Sequence, residues 1–210
     1  MKAFWIAIAS VLALVLVACL AGSAYALMRF GNYDAPSGAM EPTLHVHAAF
    51  FVDRFAYRGA SPQRGDVVLF VPPVPSRAPF IKRVVAVPGD RYAILGGRAI
   101  LNGKPVDEPY VAEHTNYDLA VRDYGLRVDG APLDPSAAVV PPRSEWTSPD
   151  TVPRGCYVML GDNRNNSEDS HVYGFVCPGR PGIARSNEVR LIGRAILPPY
   201  YQPEPGQAAR

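Results

Sequence analysis

The pattern of apolar and polar positions changes once, near residue 30. From Ala3 to Met28 the chain is apolar and carries no charge. As a helix rising ~1.5 Å per residue, that run is about 39 Å long, enough to cross a ~30 Å hydrocarbon core with some tilt. Beyond residue 30 the pattern breaks into short apolar runs, which predict strands at Ala48 to Tyr57, Asp66 to Val71, Phe80 to Val87, Arg91 to Leu95, Arg98 to Leu101, Cys156 to Leu160 and Val189 to Leu197. Asn102-Gly103 is a strong hairpin-turn signal, and "RGDVVLF" (Arg64 to Phe70) reads as a turn feeding a buried strand. No stretch after residue 30 sustains a 3.6-residue period, and no repeat is visible. Gly31 to Ser37 reads as a short polar linker. Residues 110–154, rich in Pro, Asp and Ser, read as a small inserted subdomain or long loops. The end of the chain, 198–210, reads as a flexible tail.

Composition agrees with many short strands. The chain has 22 Pro and 18 Gly among 210 residues. They are scattered between apolar runs, which favours turns over disorder. The net charge of +2, with no basic run, argues against a nucleic-acid partner. Lys2 and Arg29 flank the apolar segment, so charge does not orient it. "GSAYA" (Gly22 to Ala26) contains an Ala-x-Ala pattern, as in a cleavable leader, and "LVAC" (Leu16 to Cys19) has the form of a lipoprotein cleavage site. Both compete with a retained anchor. The apolar run is longer than the usual ~7–15-residue leader core and continues past each cut, which favours the anchor. On every reading the bulk of the chain lies outside the cytoplasm. There Cys156 and Cys177 either pair or remain as two partly buried thiols, while Cys19 lies in the apolar segment.

Three blocks carry candidate chemistry: "PSGAMEPTL", "FIKRVVAVPGD" (Phe80 to Asp90) and "GDNRNNSEDSHVYGFV" (Gly161 to Val176). In the second, strand alternation puts Lys82 and Arg83 on opposite faces. A lysine desolvated among apolar groups loses proton affinity and can serve as a neutral base. The plainer reading is a solvated pair at a sheet edge. The third block is either a solvated Asx-turn loop or a rigid polar loop that places a hydroxyl beside a catalytic group. Asp162 could pair Arg164 or Arg83.

Taken in order, these blocks, with "RGDVVLF", "YGFV", "IGRA" and the apolar N-terminal segment, resemble the type I signal peptidases, membrane-anchored serine proteases with a Ser-Lys dyad. The resemblance covers most of the chain. It implies a mainly β fold: an N-terminal transmembrane helix, then an antiparallel β catalytic core with a small inserted subdomain. The expected divisions are 1–30 anchor, 31–109 and 155–197 catalytic core, 110–154 insert and 198–210 tail. Lys82 then corresponds to the general base, Ser167 to the hydroxyl that orients it, and Ser37 to a side-chain donor of the oxyanion hole. Asp162, Arg164 and Asp169 correspond to structural polar residues; Asp169 usually pairs an arginine two positions on, but that position is His171, so the pair would depend on pH. Met40, Leu44, Phe80 and Ile81 correspond to the lining of substrate pockets.

The nucleophile's position is Ala39, and a methyl group cannot attack a carbonyl. Ser37 lies two residues away and should differ in direction and distance from Lys82. Ala39 is therefore either a deliberate alteration or the mark of a catalytically silent member. With a serine there, the resemblance implies cleavage of exported preproteins after Ala-x-Ala, without metal or cofactor, on the outer side of a bacterial plasma membrane. The partners implied are signal peptides and membrane lipid. The four histidines, His45, His47, His114 and His171, show no metal-ligand spacing. The competing class is a pseudoprotease that binds signal peptides. The self-cleaving Ser-Lys repressors are disfavoured by the membrane segment and the lack of a DNA-binding region.

Overall fold

The structure, a computed structural model, describes residues 1–76, 78–183 and 188–197; the expected tail lies outside them. Helix α1 (Lys2–Arg29) buries none of its side chains against the rest of the chain. Among the described residues it is the one helix long and apolar enough to cross a membrane. It leads directly into strand β1 (Phe30–Asp34). The expected polar linker is thus mostly strand: its polar positions sit on exposed sites while the backbone pairs with the next strand.

The remaining strands are β2 (Ala49–Asp53), β3 (Val67–Val71), β4 (Phe80–Ala86), β5 (Tyr92–Leu95), β6 (Arg98–Leu101), β7 (Lys104–Pro105), β8 (Leu119–Arg122), β9 (Gly125–Val128), β10 (Ala131–Pro132), β11 (Val158–Leu160) and β12 (Arg190–Ile196). They form two sheets, ordered β1-β2-β12-β3-β4-β11 and β10-β9-β8-β5-β6-β7. Every pairing within them is antiparallel. The fold is mainly β, as expected.

The second sheet is a meander whose tight turns are set by residues at positive φ. Asn102 and Gly103 (φ 52° and 80°) close the expected hairpin between β6 and β7. Asp123 and Tyr124 (φ 53° and 63°) close β8 onto β9, and Asp129-Gly130 closes β9 onto β10. Residues 110–154 therefore contain strands and not only long loops, and they pair with β5, which lies before residue 110. The β8–β9 turn escapes sequence reading because neither of its central residues is glycine.

Three apolar clusters hold the molecule together. One joins the second sheet to β11 through Tyr92, Leu119, Trp146 and Phe175. A second packs Met40, Leu44 and Ile81 with Phe50 and Val52. The third groups Phe70, Val84, Met159 and Tyr173. Cys156 and Cys177, both fully buried in the first cluster, are joined as a disulfide.

Candidate active site

The site is built where three stretches far apart in sequence meet. Strand β4 is buried along almost its whole length, so both members of its basic pair lie inside. Lys82 is 4% exposed and Arg83 9%. Alternation sends them apart, as expected. Arg83 grips Asp162 with two hydrogen bonds, at 2.8 and 2.6 Å. The Thr43 hydroxyl donates to the same carboxylate at 2.5 Å. This settles the partner of Asp162: it is Arg83, not Arg164. Lys82 makes no ion pair among the described residues; its Nζ lies 5.5 Å from the Phe80 ring centroid. Burial pushes its ammonium below the ordinary lysine range, and the smaller pull of Asp169, Glu168 and Asp162 only partly opposes this.

The first block forms a 3-10 turn, Gly38–Met40, with Ala39 and Met40 buried. The third block clamps it. The Asn163 backbone N–H donates to the Ala39 carbonyl at 3.2 Å, and the Asn163 side-chain amide donates to the Gly38 carbonyl at 3.0 Å. Gly161 is the meeting point. The β11–β4 register places Leu160 opposite Arg83, so the next residue, Gly161, comes level with Lys82. A Cβ on Gly161 would collide with both the Ala39 carbonyl and the Ser167 side chain. Only a residue without a side chain lets the position-39 backbone and Ser167 meet here, level in register with Lys82.

Gly161 is itself held from two sides. Its N–H donates to Asp169 at 2.9 Å, and its carbonyl accepts from Arg164 Nε at 3.2 Å. Arg164 in turn makes a buried two-pronged pair with Glu108, at 2.8 and 2.7 Å. Asp169 is fully buried and pairs with His171 Nδ1 at 2.7 Å, whose ring stacks on Tyr117 at 4.4 Å. The expected partner at that position is therefore in place, as an imidazole.

Other expected residues are arranged less simply. The Ser167 Oγ is buried without a hydrogen-bond partner among the described residues, so the expected bond to Lys82 is not formed here. Ser37 is exposed, and as N-cap of the 3-10 turn its side chain makes no capping bond. Met40, Leu44 and Ile81 share one cluster, whereas Phe80 faces the other side, against Phe70 and Tyr173. The four residues expected to line substrate pockets are thus split between two faces of β4, because Phe80 and Ile81 are consecutive in a strand. Sequence reading missed Glu108, which lies in a Pro-rich loop with no pattern of its own; the orphaned charge of a buried Arg164 is the only signal that points to it. Among the described residues no group of three His, Cys, Asp or Glu could hold a metal.

The family model described as signal peptidase, peptidase S26, matches residues 7–191. The chain belongs to this family. Signal peptidase I of Leptolyngbya laminosa is 34% identical over 170 residues, covering 77% of this chain and 64% of that protein. Signal peptidase I of Pseudomonas aeruginosa is 31% identical over 191 residues, covering 82% and 66%. The chain thus spans just under two thirds of the length of these signal peptidases. A crystal structure of a signal peptidase I from Enterococcus faecalis matches with a TM-score of 0.43 and 26% identity, over 64% of this chain and 97% of that one.

Proposed function

We propose that this chain carries the site of a membrane-anchored signal peptidase I, a Ser-Lys serine endopeptidase, complete except for its nucleophile. The observation that supports it best is the meeting at Gly161 of the position-39 backbone and the buried Ser167 hydroxyl, level in register with the desolvated Lys82. Family membership adds to it. The substrate would be an exported preprotein whose leader ends in Ala-x-Ala, lying extended against the sheet and held by main-chain hydrogen bonds. Helix α1 would hold the β core at the outer face of a bacterial plasma membrane.

In the reaction a serine at position 39 would attack the carbonyl of the second alanine while neutral Lys82 takes its proton. The backbone N–H of residue 39 and the Ser37 hydroxyl would hold the oxyanion. Lys82 would then pass the proton to the leaving amine, and a water deprotonated by Lys82 would release the acyl enzyme. Ser167, whose buried Oγ has no hydrogen-bond partner among the described residues, would orient the lysine amine. Asp162, Arg164 and Asp169 would fix the loop, and Met40, Leu44, Ile81 and Phe80 would shape the small pockets for the leader's alanines.

Ala39 stops this sequence at its first step. Loss of a serine nucleophile costs roughly 10⁶ in turnover in a comparable protease. The alanine itself favours a second reading: the chain binds signal peptides without cutting them. Ala39→Ser in the full chain, in detergent, tests the first. It is expected to yield a product starting directly after Ala-x-Ala. A folded variant that binds the leader peptide but leaves the preprotein whole establishes the second.

A further inference from the structure

A second feature lies at the foot of α1, away from Lys82. The helix enters β1 with no linker, and its end is bolted to the turn that follows β2. The Arg29 carbonyl accepts the Arg54 N–H at 2.8 Å. The Arg29 guanidinium holds Asp53 at 3.1 and 2.6 Å. One turn further into the helix, Tyr25 meets Phe55 edge-on at 5.9 Å between ring centroids. Residues 54–58 therefore stand level with the last turn of α1. If α1 spans the bilayer, as proposed above, its uncharged run ends at Met28, so this turn sits at headgroup depth.

The chemistry of the turn suits that depth. Arg54 lies over the Tyr33 ring at 5.7 Å, in space left open by the missing side chain of Gly31. Arg58 lies over the Phe55 ring at 3.4 Å. Both arginines are exposed. Among the described residues neither has a carboxylate at ion-pair distance. Asp53 is taken by Arg29. Asp66 accepts from Tyr57 and the Gln63 N–H, and lies 3.6 Å from Arg194. Phe30 and Phe51 are exposed on the neighbouring strands. Rings with guanidinium groups held over them, beside a membrane helix, match the interfacial layer, where anionic lipid attracts each nearby basic side chain by about a factor of five.

We propose that Arg54 and Arg58 bind the phosphate headgroups of anionic phospholipids and so press the β core onto the bilayer as a second contact beside α1. The occupant is a lipid because the helix that positions the turn ends at the membrane surface and because the unpaired charge is positive. The inference rests on α1 being the anchor, and the test keeps the two apart.

The full chain is placed in nanodiscs of phosphatidylcholine alone, in nanodiscs containing phosphatidylglycerol, and in the neutral discs with added inorganic phosphate. Amide hydrogen exchange is followed at residues 55–60. Phosphatidylglycerol is expected to slow exchange there on the order of ten-fold, and Arg54→Gln/Arg58→Gln is expected to abolish the slowing while exchange in β3 and β4 stays unchanged. Equal exchange in the two lipids overturns the proposal. So does slowing by phosphate alone, which would mark a free-anion site, or slowing that appears only when two copies occupy one disc. Protection of the α1 amides in both lipids reports the anchor separately; loss of that protection would contradict the anchor and not the lipid preference. Should the double variant unfold, the single Arg58→Gln is expected to lose part of the slowing.

Discussion

In the proposed reaction two residues matter most: Ala39, a methyl group where a nucleophile would stand, and Lys82, the amine that would activate it. Burial holds the amine below its usual titration range of about 10.5, and this has a measurable sign. As pH falls through the ordinary lysine value, the unfolded chain takes up a proton that the folded chain refuses, so stability falls until the depressed folded value is passed. Between those two values stability is expected to rise with pH, and Lys82→Met is expected to flatten that rise in denaturant titrations run below pH ~10. A slope unchanged by the substitution would mean that Lys82 is solvated in the native state. Buried Tyr92 and Tyr173 are pushed upward by burial and act in the opposite direction at higher pH, so the difference between the two proteins is the informative quantity. Several residues that gather at the candidate site were legible in the sequence, because Lys82, Asp162, Ser167 and Asp169 stand in compact motifs. Glu108 was not, since a charge that completes a pair from a distant loop leaves no local pattern. Nor was the role of Gly161, which is defined by what a side chain there would strike.

At the scale of elements, the loop of residues 161–171 is held by ties of different kinds. The Arg164–Glu108 pair is almost fully buried, at 2% and 9% side-chain exposure. Removing one partner of such a pair leaves an uncompensated buried charge, at a cost of about 3–5 kcal/mol. Glu108→Ala is expected to lower unfolding free energy by that amount, read in chemical denaturation; a loss under ~1 kcal/mol would place the pair in effective contact with solvent. The Cys156–Cys177 bridge closes a loop with a sequence separation of 21. Replacing both cysteines by alanine is expected to cost about 3 kcal/mol, and reduction of the parent protein should approach the same midpoint. The strands of the first sheet other than β1 could be read in the sequence, because most are short apolar runs bounded by turn residues. Strands β8 to β10 were hidden: they are half-exposed, mixed in polarity, and partly joined through Asp123 and Tyr124 in a left-handed conformation that such residues seldom announce.

For the whole molecule, the arrangement is a membrane-length helix continued without a joint into an antiparallel sheet whose β4 carries Lys82. No residue separates α1 from β1, and the last residue of the helix, Arg29, is paired with Asp53 at the end of β2. The polarity pattern revealed the membrane-length helix and the β core. It did not reveal the missing joint, since a strand with polar outward positions looks like a linker until its pairing partner is known. The central claim, that Lys82 and position 39 form a Ser-Lys dyad lacking only its hydroxyl, is tested most directly by the pH dependence of preprotein cleavage by Ala39→Ser, alone and combined with Lys82→Met. The expected result is a cut directly after Ala-x-Ala whose rate rises with pH through a group titrating below the ordinary lysine range, and no cut in the double variant. Cleavage that persists without the Lys82 amine, or none from a folded Ala39→Ser protein, would contradict it.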